Sequence, residues 1–449
     1  MIMTLIHEKR IEKTSHSLSM PENLHSKYMP FLERFGKHLL NEIGTNGYIQ
    51  ASSRYSPYKP HWIRDSSFIA ISLFNIARFL RDADKESEAK KYIEAASRIN
   101  TFNMNVIERR IERIKQTIQI PYEDERHYLL DSHIPARVGP SMDLFVDKNL
   151  NDITSYNKWL IQHDTVPLFI MSLESERLAL GTLTNIRKQF LDSNAVTLGR
   201  YLNKIALTPS SNAWEMETDF MHPYTTSAIY AGKRSLARLL VTENPRLLEE
   251  HWDGFIDNTP IIEMLRLDVN NGVAYRRRKP FSDPDTNAGV DSEEIFMFSR
   301  FGISDLDIGA GVKDKTIALI EKDLFSGHML PLRNLNDVYF LGGRWLLLGL
   351  EYARYLAFDG DLENASEIIS YVLGKHSSSM PEQEIINPAN PESREGAIDL
   401  QRNNGLPIQH LNWSYAAATE AMLSTINAAR GHFLVDHHDS SILDDILRK

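Results

Sequence analysis

The chain has 449 residues, 42% of them apolar and 24% charged, the balance of an ordinary globular protein with a sizeable core. Its 60 acidic side chains outnumber 50 basic ones, and the resulting charge of −10 argues against a nucleic-acid partner or a polybasic membrane-surface role. With no cysteine, disulfides, thiolate zinc sites, iron–sulfur clusters and cysteine nucleophiles are excluded together.

Residues 1–27 are polar and without period, and read as a loosely held arm. Glu8 and Lys9 fall where a signal peptide would need its apolar stretch. No apolar run approaches the ~18 residues of a membrane span. The expectation is a soluble, cytoplasmic chain with no membrane partner, built as one domain over 1–449: the arm, a helical body over 28–433, and a polar tail over 434–449. The tail carries Asp436-His437-His438-Asp439, which has metal-ligand chemistry but reads as solvated.

From Tyr28 onward the patterns are helical, and the predicted helices are of two kinds. The segments 66–81, with Asp65 or Ser66 placed to cap it, and 343–358 are apolar nearly all round, and 413–430 is rich in small residues. Helices without a polar face must be surrounded by protein. The segments 85–98, 105–116, 313–325 and 362–374 are amphipathic and heavily charged, as an outer layer would be. Further patterns at 30–43, 185–205, 223–241 and 261–267 bring the count to about a dozen. Buried helices alternating with half-exposed ones predict two concentric rings, an all-α toroid. A superhelical repeat protein would need a sequence repeat of ~20–50 residues, and none is present.

Long loops at 45–64, 117–160, 207–222, 268–292, 326–342 and 376–412 carry aromatic and charged residues. Loops beyond ~15 residues are usually functional, and these are expected to gather at one mouth of the toroid. The basic run Arg276-Arg277-Arg278-Lys279, followed by Asp283 and Asp285, reads as a charged loop with internal pairing.

Glycine-rich nucleotide motifs, H-E-x-x-H and G-x-S-x-G are all missing. The placement of tryptophan is more telling. Trp62, Trp159, Trp214, Trp345 and Trp413 each lie within a few residues of loop-borne charged or amide groups. Core packing is the other reading of any one of them. Aromatic faces beside carboxylates and arginine forks suit a sugar, whose C–H faces stack and whose hydroxyls are gripped in pairs.

These residues resemble the glucoamylase-like enzymes of glycoside hydrolase family 15. Tyr58-Lys59-Pro60-His61-Trp62-Ile63-Arg64-Asp65 is similar to the segment whose Arg and Asp hold the terminal glucose. Gln162-His163-Asp164, with Trp159 before it, resembles the Q-x-D loop, and Trp214-Glu215 the W-E pair that bears the general acid. Arg333-Asn334-Leu335-Asn336-Asp337-Val338-Tyr339 with Gly342-Gly343-Arg344-Trp345 resembles a further sugar-subsite stretch. Met380-Pro381-Glu382-Gln383 resembles the segment of the general base, and Leu411-Asn412-Trp413-Ser414-Tyr415-Ala416 the helix start whose Ser orients it. All six keep their order from residue 58 to residue 416.

The resemblance implies an (α/α)6 toroid and an inverting exo-acting α-glucoside hydrolase that releases β-glucose from short soluble α-1,4- or α-1,6-linked oligosaccharides. It implies Glu215 as acid, Glu382 as base and Ser414 as the base-orienting residue. Tyr58, Trp62, Arg64, Asp65, Trp159, Gln162, Asp164, Trp214, Arg333, Asp337 and Trp413 would bind substrate, with no metal or organic cofactor. A sugar phosphorylase and a non-catalytic sugar-binding regulatory protein are the competing functions. Met216 stands where many members carry a second Glu, so the hydroxyl contact of that Glu is not carried over. The connection Asn387 to Gln409 is long for the family and is expected to narrow the mouth. The chain is expected to have room for neither the β-sandwich nor the starch-binding module that some members add.

Overall fold

The structure, a computed structural model, describes residues 20–52, 58–121, 136–142, 162–214, 219–251, 257–279, 282–335, 337, 342–384 and 408–431. The expected tail, the 387–407 part of the long connection, and most of the expected arm lie outside these residues. The described helices in chain order are α1 Met20–Glu42, α2 Ile63–Asp82, α3 Glu86–Arg109, α4 Ile111–Gln119, α5 Thr165–Leu180, α6 Asn185–Ile205, α7 Pro223–Glu243 and α8 Pro245–Glu250. They continue with α9 Thr259–Leu267, α10 Ile295–Ser299, α11 Asp305–Ile308, α12 Val312–Ile320, α13 Leu346–Asp359, α14 Leu362–His376 and α15 Asn412–Ala429.

Six of them close a ring: α2 packs on α5, α5 on α7, α7 on α10, α10 on α13, α13 on α15, and α15 back on α2. Their side chains are buried on nearly every face, as in α13, where Leu346 through Ala357 are all enclosed. Helices α1, α3, α6, α9 and α14 lie against the ring from outside. Most of their charged residues face solvent, as the amphipathic patterns predict, whereas Arg187 and Lys204 of α6 are buried. The fold is the expected all-α (α/α)6 toroid. No helix among the described residues is long and apolar enough to cross a membrane.

Several boundaries differ from the sequence reading. Helix α1 starts at Met20, inside the expected arm, and already buries Leu24. Helix α2 starts at Ile63 with Trp62 at its N-cap and no side-chain cap. Asp65 therefore sits in the first turn instead of capping, and Ser66 donates back to the Ile63 carbonyl at 3.0 Å. Two inner helices, α5 and α10, have no counterpart among the predicted segments. In α5, Glu174 and Glu176 break the apolar pattern, yet both are buried. Glu174 pairs with Arg238 of α7, and Glu176 accepts from Asn100 at 2.8 Å and pairs with Arg187 at 3.2 Å.

A second network crosses the ring. Arg300 donates to Glu351 at 2.9 Å, Asn75 donates to Glu420 at 3.1 Å, and Arg354 donates to the Ser299 carbonyl at 2.8 Å. These links join α2, α13 and α15 to the turn after α10 and fix the register of four inner-ring segments.

Among the described residues, three two-stranded ribbons lie in the loops. Strand β1, His61–Trp62, pairs antiparallel with β2, Arg137–Val138. Hairpin strands β3, Val269–Asn270, and β4, Val273–Ala274, pair with each other, and β5, Arg344–Trp345, pairs with β6, Gln383–Glu384. The expected internal pairing of the basic run is present: Arg277 pairs with Asp285 at 2.9 Å, and Arg278 with the fully buried Asp268 at 2.6 Å.

Inner helices approach so closely that α7 needs a glycine. A Cβ on Gly232 would lie 2.5 Å from the Cα of Pro167 in α5. Alanine normally improves on glycine in a helix interior by ~0.5–1 kcal/mol. Here the sign reverses: Gly232→Ala is expected to cost about 1–3 kcal/mol through overpacking, read as a lower urea midpoint at unchanged m-value.

Candidate active site

The six inner helices begin at one end of the ring, and their first residues meet there. Trp62, Arg64 and Asp65 come from the start of α2, Leu347 from the start of α13, and Leu411 and Trp413 from the start of α15. With Tyr58, Ala213, Trp214, Arg333, Trp345 and Glu382 they line a cavity of about 140 Å3. By the measure in which one water needs ~10–15 Å3, the space takes roughly ten waters or one sugar ring. Asp164 at the N-cap of α5 and Tyr224 in the first turn of α7 stand just behind this wall. Asp291, four residues before α10, does the same.

Arg64 is the centre of one side. Its Nε donates to Asp65 at 3.0 Å, one terminal nitrogen donates to the Ala213 carbonyl at 2.5 Å, and the same nitrogen lies 4.0 Å from Asp164. Its guanidinium stands 5.0 Å from the ring centre of Trp413 and 5.7 Å from that of Trp62. Tyr224 donates to Asp164 at 3.0 Å, and burial beside that carboxylate pushes the phenol pKa well up, keeping it a donor.

The opposite side repeats this design. Arg333 pairs with Asp337 and stands 5.6 and 5.5 Å from the ring centres of Trp214 and Trp345. The two indoles are 4.8 Å apart, and that of Trp345 donates to Asp337 at 3.4 Å. Each cation is thus held by a carboxylate and by aromatic faces.

Glu382 enters between these sides. It is 5% exposed, and its Oε1 accepts from the Tyr58 hydroxyl at 3.1 Å. Two backbone hydrogen bonds place it. Leu346 N–H donates to its carbonyl at 3.2 Å, and its own N–H donates to the Ile408 carbonyl at 2.9 Å. Gly343 allows the β5–β6 approach, because a Cβ there would lie 2.1 Å from the Gln383 amide oxygen. Met380, two residues before, has φ +33, a strained value for a non-glycine residue, and its backbone is bonded to His376 and Leu411.

Among the expected site residues, Tyr58, Trp62, Arg64, Asp65, Trp214, Arg333, Glu382 and Trp413 are in the cavity wall. Asp164 and Asp337 stand behind Arg64 and Arg333, and Gln162 is buried outside the wall. Ser414 donates to the Pro381 carbonyl at 3.2 Å, so it reaches Glu382 through the preceding backbone. Glu215, Met216 and Trp159 lie outside the described residues. Trp214, next to Glu215 in the chain, faces the same cavity as Glu382.

Sequence reasoning missed Tyr224 and the buried group Asp291, Glu293 and Glu294. Asp291 is pushed up to about 6 by burial, opposed by the Arg333 guanidinium and by the Trp214 and Asn334 N–H groups. Glu294 is pushed up by burial and by the neighbouring carboxylates of Asp291 and Glu293. A signal existed: Asp291-x-x-Glu294 ahead of the apolar run from Ile295 is a capping-box pattern, and the structure forms that box.

No protein-family model and no curated protein sequence matches the chain. Solved structures do. A wild-type glycosidase is 18% identical with a TM-score of 0.68, over 92% of this chain and 99% of that one. A bacterial glucoamylase complexed with acarbose is 16% identical with a TM-score of 0.61, over 90% of this chain and 56% of that one. The glucoamylase of Saccharomycopsis fibuligera is 12% identical with a TM-score of 0.56, over 93% and 99%.

Arg64→Met would leave Asp65 and Asp164 buried together without their cation. Breaking a buried pair this way costs about 3–5 kcal/mol, so the variant is expected to unfold at markedly lower urea, a loss that equilibrium denaturation reads directly. Ring closure, the convergence of helix starts and these likenesses lead to one conclusion: the chain has the glucoamylase-like (α/α)6 fold.

Proposed function

We propose that this protein is an inverting exo-acting α-glucoside hydrolase, with Glu215 as general acid and Glu382 as general base. The observation that carries the reading is the cavity itself. It is a pocket for one ring, walled by four indoles and two clamped arginines, with a buried carboxylate hydrogen-bonded by a tyrosine. The solved structures of the same fold are glycosidases and glucoamylases, and a variant of the glycosidase is in complex with glucose.

Glycoside hydrolysis by inversion needs one protonated and one ionised carboxyl, ~6.5–9.5 Å apart, with a water between base and sugar. Glu382 takes the proton of that water as its oxygen attacks C1, while Glu215 gives its proton to the departing glycosidic oxygen. The product is β-glucose and a shortened sugar. The Tyr58 hydroxyl donates to one oxygen of Glu382 and so helps to hold the carboxylate in place. Arg64 and Asp65 grip outer hydroxyls of the terminal glucose, and Trp62, Trp214 and Trp413 cover C–H faces. Trp159, Gln162, Asp164, Arg333 and Asp337 shape the subsites by contact or by support, and Ser414 steadies the base through Pro381. The substrates are short soluble α-1,4- or α-1,6-linked gluco-oligosaccharides. Paired carboxylates suffice for this chemistry, without a metal or cofactor.

Phosphorolysis is disfavoured by the same site. A carboxylate at position 382 repels phosphate, and the two arginines of the wall are each already matched to a carboxylate. Maltose, isomaltose, trehalose, kojibiose and nigerose, followed by NMR, should show which linkage releases glucose, with the β anomer appearing first. Phosphate should leave the rate unchanged. Glu382→Gln should lower kcat by about 10^2–10^4 while glucose binding stays measurable by calorimetry. An α-anomeric first product or normal turnover by Glu382→Gln would refute the assignment.

A further inference from the structure

The residues Asp291-Ser292-Glu293-Glu294 have no side-chain exposure at all, although three of the four are carboxylates. Burying carboxylates is costly unless each is met by donors, and the donors here come from two distant segments. Asp291 Oδ1 accepts from the Trp214 indole N–H and from the Glu293 backbone N–H, both at 3.0 Å. Its Oδ2 accepts from the Asn334 side-chain amide at 2.9 Å. Glu293 accepts from the Ala213 backbone N–H at 3.2 Å. Ser292 donates to the Arg333 carbonyl from its backbone at 2.8 Å and to the Leu332 carbonyl from its hydroxyl at 2.6 Å.

One short segment thus joins two arms of the cavity wall. The first, Ala213-Trp214, leads into Glu215; the second, Leu332-Arg333-Asn334, carries the arginine that packs on the Trp214 ring. The capping box with Glu294, whose Oε2 accepts from Asp291 N–H at 2.6 Å, fixes Asp291 to the start of α10 and so to the inner ring. Of the three donors that meet the Asp291 carboxylate, two belong to the wall arms. A group that only filled the core would not face both.

We propose that Asp291 is a positioning residue for the hydrolysis proposed above: a single buried carboxylate sets Trp214, the residue before the acid, and the Arg333 loop in one register. It acts through Trp214 and Asn334 and does not line the cavity. The inference rests on that functional reading, because only there is the residue that follows Trp214 in the chain the acid. Arg333, Glu293 and Glu294 are the charged groups that face it. A charged acceptor binds N–H donors about twice as strongly as a neutral one, so the neutral isostere loosens both arms while keeping the volume.

The test compares wild type, Asp291→Asn, Asn334→Ala and the double variant on an α-glucoside that wild type turns over. Asp291→Asn is expected to lower kcat roughly tenfold to a hundredfold, the range seen for partners that orient a reacting ligand from behind, with KM little changed. Asn334→Ala is expected to lower kcat less, and the double variant to fall short of the product of the two losses, as residues sharing one contact do. An independent readout is the indole N–H resonance of Trp214, assigned with Trp214→Phe and expected to move upfield in Asp291→Asn. Unchanged kcat, losses that simply multiply, or an unmoved indole resonance each overturn the proposal. If Asp291→Asn does not fold, Asn334→Ala alone must show the kcat loss at unchanged KM, and unchanged kcat there overturns it equally. An inactive wild type would sink the hydrolase reading, whereas an active wild type with an indifferent Asp291→Asn would sink only this one.

Discussion

Six helices that lack a polar face have to be enclosed, and the chain encloses them by closing them on each other. Each inner helix is entered from the same end, because the chain between two of them returns on the outside. Six N-termini with their unpaired N–H groups and positive partial charge therefore meet at one mouth. Carboxylates are stabilised there, each by ~0.3–1 kcal/mol in exposed cases and by more where buried. Asp65, Asp164, Asp291, Glu293 and Glu382 all occupy this zone. The abundance of acid at the mouth is thus a consequence of how the ring closes.

Burial at the mouth creates a second demand. A desolvated charge needs partners, and Arg64 and Arg333 meet that need in the same manner, each with a carboxylate in ion-pair contact and two indoles within cation–π distance. Side chains held in place by such contacts keep ordering costs low on binding. Glu382 is fixed by different means, a strand pair that only Gly343 permits and a backbone held at a positive φ at Met380.

Much of this was legible in the residues, and the parts that were not share a cause. The all-round apolar character of α2 and α13 announced inner helices correctly. Helix α5 escaped the same reading because Glu174 and Glu176 look like a solvated face until Arg238 and Arg187 are seen beside them. Helix α10 is only five residues long, too short for periodicity to register. Asp65 reads as a helix cap by position, yet Arg64 beside it takes its carboxylate. The wall residues came from tryptophan-centred strings, so Tyr224 and Asp291, which have no tryptophan in their own strings, went unnoticed although one supports Asp164 and the other Trp214.

By itself the sequence determined which segments must be enclosed, which must face water, and that loops rich in indoles and carboxylates interrupt them. Those are local properties, written in the period of apolar residues and in composition. Only the tertiary structure decided which carboxylate meets which cation and which of them reach the cavity, as when Asn75 meets Glu420 across 345 positions of chain. Periodicity fixes the face a side chain occupies on its own helix, but the partner opposite that face is set by ring closure, to which every segment contributes at once.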